Sequence, residues 1–149
     1  MVLRSYLKYL LFFLLPVSIA VTGCGPSTVS LKFDCEDKCN DNNAVVVQIF
    51  QLKSAGKFTL ASRESLLRMP EATLEDELIS GSKLEKTIVP GSSIDLKDIE
   101  LYDDTKYIGL IADFFNPSSD GWRIVINPEE DGDDLRILIG KNSLQKEKM

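Results

Sequence analysis

The sequence predicts a mainly β protein, a two-sheet antiparallel sandwich with a short helical insertion. Three observations support this fold class: about seven short segments with strand patterns, turn residues between most of them, and one region with helical signals. The chain has 149 residues, of which 44% are hydrophobic and 27% charged, a composition typical of one globular domain. We expect that domain to span residues 29–142.

The first 23 residues are typical of a secretory signal peptide. Arg4 and Lys8 give a positive start, and the apolar run Tyr9–Val21 is shorter than the roughly 20 residues that span a bilayer. We therefore predict a signal peptide over residues 1–23 and a tether over residues 24–28.

The segment Val21–Cys24 resembles the bacterial lipobox, in which an apolar residue and two small residues precede a cysteine. The resemblance implies cleavage before Cys24 and lipidation of that cysteine. One acyl chain holds a protein on a membrane only marginally, whereas two or more anchor it stably. Gly25 follows where an aspartate would suggest inner-membrane retention, which by resemblance to sorted lipoproteins favours the outer membrane, facing the periplasm. An ordinary signal peptide with an incidental cysteine is the alternative.

The strand signals follow in order along the chain. Val29–Phe33 alternates apolar and polar residues, which predicts a half-buried strand. Ala44–Leu52 is β-branched and largely apolar, which predicts a central strand covered on both faces. The further predicted strands are Lys86–Val89, Ser92–Leu96, Tyr107–Phe115, Trp122–Ile126 and Leu135–Ile139. Residues 143–149 are polar, and we expect them to form a frayed tail.

Helical signals are confined to one insertion after the second strand. Ser62 is a candidate cap for a helix over Arg63–Arg68, and Thr73 with Asp76 resembles a capping box that would begin a helix over Leu74–Ser80. We therefore predict two short helices here.

Composition excludes several functional classes. The chain contains no histidine, which removes the commonest general base, most zinc sites and every nucleophile paired with histidine. Its net charge of -6 and pI near 4.7 disfavour nucleic-acid binding, which requires a basic face.

Cys35 and Cys39 lie in the loop between the first two strands. The periplasm is oxidising, and residues four apart in one helical turn come within disulfide range, so a local disulfide is predicted. Free thiols and a metal site are the alternatives, although two thiols without histidine fall short of four zinc ligands.

Two further features are weighed as possible sites. The acidic segment Asn127–Asp134 matches part of a calcium-binding loop but has Leu138 where a bidentate glutamate is required, so an acidic hairpin connection is favoured. Trp122 could stack against a sugar, although a lone tryptophan at the start of an apolar strand is more typical of a core. Acidic pairs such as Asp103-Asp104 are common in any acidic protein and do not establish hydrolase chemistry.

Three segments, taken in order, resemble the outer-membrane lipoprotein family of type VI secretion systems, the TssJ or SciN family. They are Val45–Lys53 followed by Phe58, Val89-Pro90-Gly91 before a short strand, and Ile108–Arg123 with its strand, polar turn and Trp-Arg pair. The cysteine pair in the first loop is not expected of most members.

The resemblance implies a transthyretin-like β-sandwich, no enzymatic activity and no cofactor beyond the covalent lipid on Cys24. It also implies binding to the periplasmic domain of the IcmF-like inner-membrane component, with neither nucleic acid nor a small-molecule substrate. In that family, the loop after the first strand is associated with this contact, and the corresponding loop here is Asp34–Asn43. Its candidate partner-binding residues are Glu36, Asp37, Lys38, Asn40 and Asp41.

Two other classes of function remain as hypotheses at this point. One is a periplasmic ligand-binding or glycan-binding lipoprotein that uses a face of the sandwich. The other is an envelope enzyme, for which only the acidic pairs speak.

Overall fold

The computed structural model describes residues Ser27–Met149, which form two four-stranded sheets packed face to face. The predicted fold class is therefore confirmed. The predicted signal peptide, Cys24 and most of the predicted tether lie outside the described residues. The strands are β1 (Thr28–Cys35), β2 (Val45–Leu52), β3 (Leu84–Ile88), β4 (Ser93–Glu100), β5 (Tyr107–Ala112), β6 (Arg123–Ile126), β7 (Asp134–Ile139) and β8 (Leu144–Lys148).

One sheet has the strand order β4-β1-β7-β8 and the other β3-β2-β5-β6. Neighbouring strands are antiparallel except for β1 and β7, which pair in parallel. These two strands are far apart in sequence, and between them the chain crosses to the second sheet and back twice. No tight hairpin has to join β1 and β7, so the two strands can pair in parallel.

The core lies between the sheets and explains the alternation of β1. Val29, Leu31 and Phe33 are buried, while the residues between them are only partly buried. In β2, seven of eight residues are buried, which confirms the prediction that this strand is covered on both faces. Its outer face is covered by the helical insertion.

The insertion comprises α1 (Gly56–Leu60), α2 (Arg63–Arg68) and α3 (Pro70–Leu74), followed by a 3₁₀ turn over Glu75–Glu77. The helix α2 has the predicted bounds, and the Ser62 side chain accepts a hydrogen bond from the Ser65 backbone N–H, as a cap should. No helix between Ser27 and Met149 is long and apolar enough to cross a bilayer.

The predicted helix over Leu74–Ser80 is wrong. The chain is helical from Pro70 to Leu74 instead, because proline fits the first helical position, where its fixed φ is favourable and its missing N–H costs no hydrogen bond. Thr73 does not cap a helix, since its hydroxyl donates to the Ser65 carbonyl at 3.2 Å.

The expectation of a frayed tail over residues 143–149 is also wrong, because β8 pairs antiparallel with β7 from Leu144 to Lys148. Only Leu144 of β8 is buried. An edge strand with one buried residue gives no alternating apolar pattern, and its lysines and glutamate are typical of a protected edge.

A glycine lets the insertion approach the second sheet. Gly109 lies opposite Phe50 in the sheet, and a Cβ on Gly109 would meet the Phe58 ring at 2.6 Å. The rings of Phe50 and Phe58 are tilted by 60° with centroids 6.4 Å apart. The insertion is therefore seated on the backbone of β5.

Gly109→Ala is expected to lower the free energy of unfolding by about 1–3 kcal/mol, the usual cost of overpacking. Urea titration would measure it, with Gly140→Ala as the control, because a Cβ there finds its nearest neighbour at an ordinary 3.6 Å. Adding Phe58→Leu should recover part of the loss. Strict additivity of Gly109→Ala and Phe58→Leu would contradict the proposed contact.

The strand directions divide the connections between two ends of the sandwich. We define the distal end as the connections 36–44, 89–92, 113–122 and 140–143. It lies at the opposite end of β1 from Ser27. Because β1 has eight residues, the two ends are about 26 Å apart at roughly 3.3 Å per residue.

Candidate partner-binding site

The first connection of the distal end opens with a disulfide between Cys35 and Cys39, whose Cα atoms are 5.8 Å apart. The predicted disulfide is thus present, rather than free thiols. No group of three potential metal-ligating side chains occurs among residues 27–149. The bridge joins the last residue of β1 to the buried Cys39, and so holds Glu36, Asp37 and Lys38 in a closed, exposed loop.

The backbone after the bridge makes a left-handed turn. Asn40, Asp41 and Asn42 have φ of 48°, 53° and 62°, a region that costs most residues about 1–2 kcal/mol but suits asparagine and aspartate better. The Asn-Asp-Asn run therefore supplies the residue types that this turn requires.

Asn40 ties the turn to the neighbouring connection. Its Oδ1 accepts a hydrogen bond from the Phe115 backbone N–H at 2.6 Å, and its Nδ2 donates to the Ala44 carbonyl at 2.8 Å. The residue is only 3% exposed. Asn40, predicted as a direct contact with a partner, is therefore buried, and its role in the structure is to position its neighbours.

Asp41 makes a second tie to the same connection. Its carboxylate accepts from Asn116 Nδ2 at 3.1 Å and lies 3.3 Å from Lys141 Nζ. The hydrogen bond from Asn116, and then the contact with Lys141, lower the pKa of Asp41 below its ordinary value. The carboxylate of Asp41 is thus already paired with groups of the distal end itself.

Backbone hydrogen bonds join the remaining connections to this frame. The Glu36 carbonyl accepts from Gly91 N–H at 3.1 Å, the Gly140 carbonyl accepts from Asn40 N–H at 3.2 Å, and Ser118 N–H donates to the Asn142 carbonyl at 3.0 Å. All four connections are therefore tied together, and the exposed side chains of Glu36, Asp37 and Lys38 project from a fixed base.

Two exposed apolar side chains at the distal end were not predicted from the sequence. Phe115 is 73% exposed and Val89 is 53% exposed. The sequence predicts a strand over Tyr107–Phe115 that would include this residue, but β5 ends at Ala112. The signal that could have found it is the Asn116-Pro117 step, since a residue two positions before a proline in a turn-rich segment is a poor candidate for a strand interior.

Asp34, the first residue of the predicted binding loop, belongs to β1 and lies in an ion pair. Its carboxylate accepts hydrogen bonds from the Ser93 hydroxyl and from Arg136 Nε. These two donors, Ser93 first, hold the pKa of Asp34 below its usual range. A carboxyl whose pKa is lower in the folded state stabilises the fold above its unfolded pKa, about 3.9, and loses that contribution as the pH falls through its folded pKa.

We therefore expect Asp34→Asn to destabilise the protein at pH 7 and to have a smaller effect near pH 3. Urea unfolding at several pH values would measure this, with the exposed Asp37→Asn as the matched control. An effect of Asp34→Asn that does not change with pH would contradict the lowered pKa of Asp34 in the folded state.

The other residues considered from the sequence have structural surroundings. Trp122 is 7% exposed, its Nε1 donates to the Ser119 carbonyl at 3.1 Å, and the Arg123 guanidinium lies 4.6 Å from its ring centroid. This leaves little ring surface for a sugar. The acidic segment carries a short helix, α4 (Pro128–Asp131), and Asp131 pairs with Lys146 at 2.6 Å.

Gln51, a polar residue in the largely apolar second strand, also has a structural role. Its Nε2 donates to the Glu100 carbonyl at 2.9 Å, while its Oε1 accepts from the Tyr102 backbone N–H and the Thr105 hydroxyl at 2.9 and 2.7 Å. Gln51 thereby joins β2 to the end of β4 and to the connection from β4 to β5, which crosses between the sheets.

Comparison with known proteins identifies relatives. A family model described as "Type VI secretion lipoprotein, VasD, EvfM, TssJ, VC_A0113" matches residues 27–145. None of the curated proteins compared with the chain matches it.

Solved structures share the fold. The type VI secretion lipoprotein TssJ1 from Pseudomonas aeruginosa matches with a TM-score of 0.76 and 19% identity, covering 84% of this chain and 98% of that one. A chain of a type VI membrane complex matches with a TM-score of 0.72 and 26% identity over 81% and 98%. A chain in a structure described as the T6SS protein TssM C-terminal domain (869–1107) from EAEC matches with a TM-score of 0.68 and 24% identity over 82% and 98%.

Proposed function

We propose, from the premise that this chain belongs to the type VI secretion lipoprotein family, that it anchors the secretion membrane complex at the outer membrane. In this proposal lipid on Cys24 holds the protein at the inner leaflet, facing the periplasm. The distal end binds the periplasmic domain of the IcmF-like inner-membrane component. Two tethers in two membranes then bridge the envelope, and no catalytic step is required.

The observation that carries the proposal is that Ser27 and the distal end lie at opposite ends of the sandwich. Ser27, the first described residue, lies three positions after Cys24 in the sequence and immediately before β1. A lipid at Cys24 would place that end of the domain against the membrane. The distal end would then face away from the outer membrane, about 26 Å farther into the periplasm. A partner anchored in the inner membrane would reach the protein from that side.

The rigidity of the distal end supports recognition there. The disulfide, the buried Asn40 and the hydrogen bonds between the four connections fix the loops before binding. A surface that is already ordered loses less conformational entropy when a partner binds. Glu36, Asp37 and Lys38 are exposed on this surface and remain our proposed charged contacts, with Asp41 at its edge.

The comparisons support the choice of partner. One similar chain belongs to a type VI membrane complex. Another comes from the structure described as the TssM C-terminal domain, yet 82% of this chain covers 98% of it. That matched chain is therefore about as long as this one and much shorter than the segment 869–1107, which favours a lipoprotein-like chain beside the TssM domain.

Calorimetry of the lipidated protein in detergent, titrated with the periplasmic domain of the IcmF-like protein from the same genome, tests the proposal. We expect saturable binding near micromolar, about -8 kcal/mol. Reduction of the Cys35–Cys39 bridge should weaken it by loosening the loop. A folded protein that shows no saturable heat in either redox state would refute the partner assignment.

A further inference from the structure

Phe115 is an exposed aromatic side chain on a fixed backbone. The residue before it, Phe114, is 1% exposed, and its carbonyl accepts a hydrogen bond from Arg63 Nη2 at 2.8 Å. The N–H of Phe115 donates to the buried Asn40, and Asn116 donates to Asp41. The ring is thus held in solvent by neighbours that are themselves anchored, rather than carried on a loose loop.

The charges around Phe115 are largely compensated. Asp113 pairs with Arg63, and Asp41 pairs with Lys141. The exposed charges of the first connection, Glu36, Asp37 and Lys38, sum to one negative charge. Charged side chains at the rim of an interface mainly affect the rate and the salt dependence of association, whereas a buried aromatic anchor affects how long the complex lasts.

A second exposed apolar side chain, Val89, lies at the same end of the sandwich. Val89 lies just after β3, and Phe115 lies just after β5, the two strands that flank β2. Two strand spacings separate β3 and β5 by about 10 Å. The distal end therefore carries two exposed apolar side chains among polar connections, and protein interfaces typically combine such apolar groups with a polar rim.

We infer that Phe115 is the anchor of the partner interface and inserts into an apolar pocket on the inner-membrane component. The inference rests on the proposed function and deepens it, since it assigns the affinity to the ring and leaves the charged side chains of the first connection at the rim. A membrane is not the occupant in this arrangement, because the distal end lies at the opposite end of β1 from Ser27.

Phe115→Ala tests the inference in the same calorimetric titration. We expect the affinity for the periplasmic domain to fall about 10- to 100-fold, as for a central aromatic anchor. The melting temperature should stay within about a degree, because the ring is already exposed. Phe115→Leu should retain part of the affinity, and Glu36→Ala with Lys38→Ala should cost less than threefold.

Leu60→Ala is the matched control, since Leu60 is a large apolar side chain, 89% exposed, on the helical insertion. Its affinity should equal that of the wild type. An unchanged affinity of Phe115→Ala, or an equal loss in Leu60→Ala, would overturn the inference and leave the proposed function standing. Failure of the wild type to bind would overturn the proposed function itself. A wild-type dimer in light scattering that Phe115→Ala abolishes would assign the ring to a second copy of the chain and also overturn the inference.

Discussion

Cys24→Ser is expected to release the protein from the membrane fraction into the soluble periplasm. The hydroxyl of serine cannot form the thioether that carries the diacylglyceryl group, so the variant would lack lipid. Each buried CH₂ contributes about 0.8 kcal/mol, and stable anchoring needs more than one chain.

Fractionation of cells after a high-salt wash would measure the effect. The matched control is the double variant Cys35→Ser, Cys39→Ser, which removes the other two cysteines and should stay with the membrane. Cys24→Ser that has lost its signal peptide, as shown by its mass, and still remains in the washed membrane pellet would contradict the lipid anchor. The soluble variant should still bind the IcmF-like domain, because Ser27, three positions after Cys24 in the sequence, lies at the opposite end of β1 from the distal end. Secretion should nevertheless be lost, since binding alone does not bridge two membranes.

The core of the fold could be predicted because burial dictates its pattern. The alternation of β1 and the continuous apolar run of β2 follow from having one or two covered faces. The helix over Arg63–Arg68 was predictable in the same way, since its cap at Ser62 is a local interaction. These features depend on neighbours in sequence, which is why a single sequence reveals them.

The elements that were missed depend on distant partners. The strand β8 exists because β7 offers its edge to it, and four of its five residues are exposed. The parallel pairing of β1 with β7 depends on how the chain crosses between the sheets. Neither has a local pattern that could reveal it.

The candidate site shows the same limit. The first connection was predicted by resemblance and its disulfide by spacing, but the sequence does not show that Asn40 is buried. Its partner Phe115 is 75 residues away. The sequence therefore indicates the loop between the first two strands and its cysteine pair, but not the arrangement of the four connections that gives the loop a fixed shape.

Asn40→Ala is expected to destabilise the protein and to disorganise the distal end. The change leaves the Phe115 N–H and the Ala44 carbonyl without their partner, at up to about 1–3 kcal/mol for each partly buried group. It also places alanine at φ 48°, which adds about 1 kcal/mol or more. Because water can satisfy part of the loss, we expect a total of about 2–4 kcal/mol in the free energy of unfolding.

The functional consequence separates Asn40 from a contact residue. Asn40 is buried, so its variant should weaken partner binding by releasing Phe115 and the turn, and hydrogen exchange of the amide of Phe115 should rise. Asn42→Ala is the matched control, since Asn42 has a similar φ of 62° but is exposed. It should cost only the backbone strain and leave that amide protected. Equal effects of the two variants on the Phe115 amide would show that the turn, rather than the Asn40 side chain, holds the distal end together.

If Asn40 positions Phe115, the affinity lost in Asn40→Ala and in Phe115→Ala should not add in the double variant, because both changes remove the same anchor.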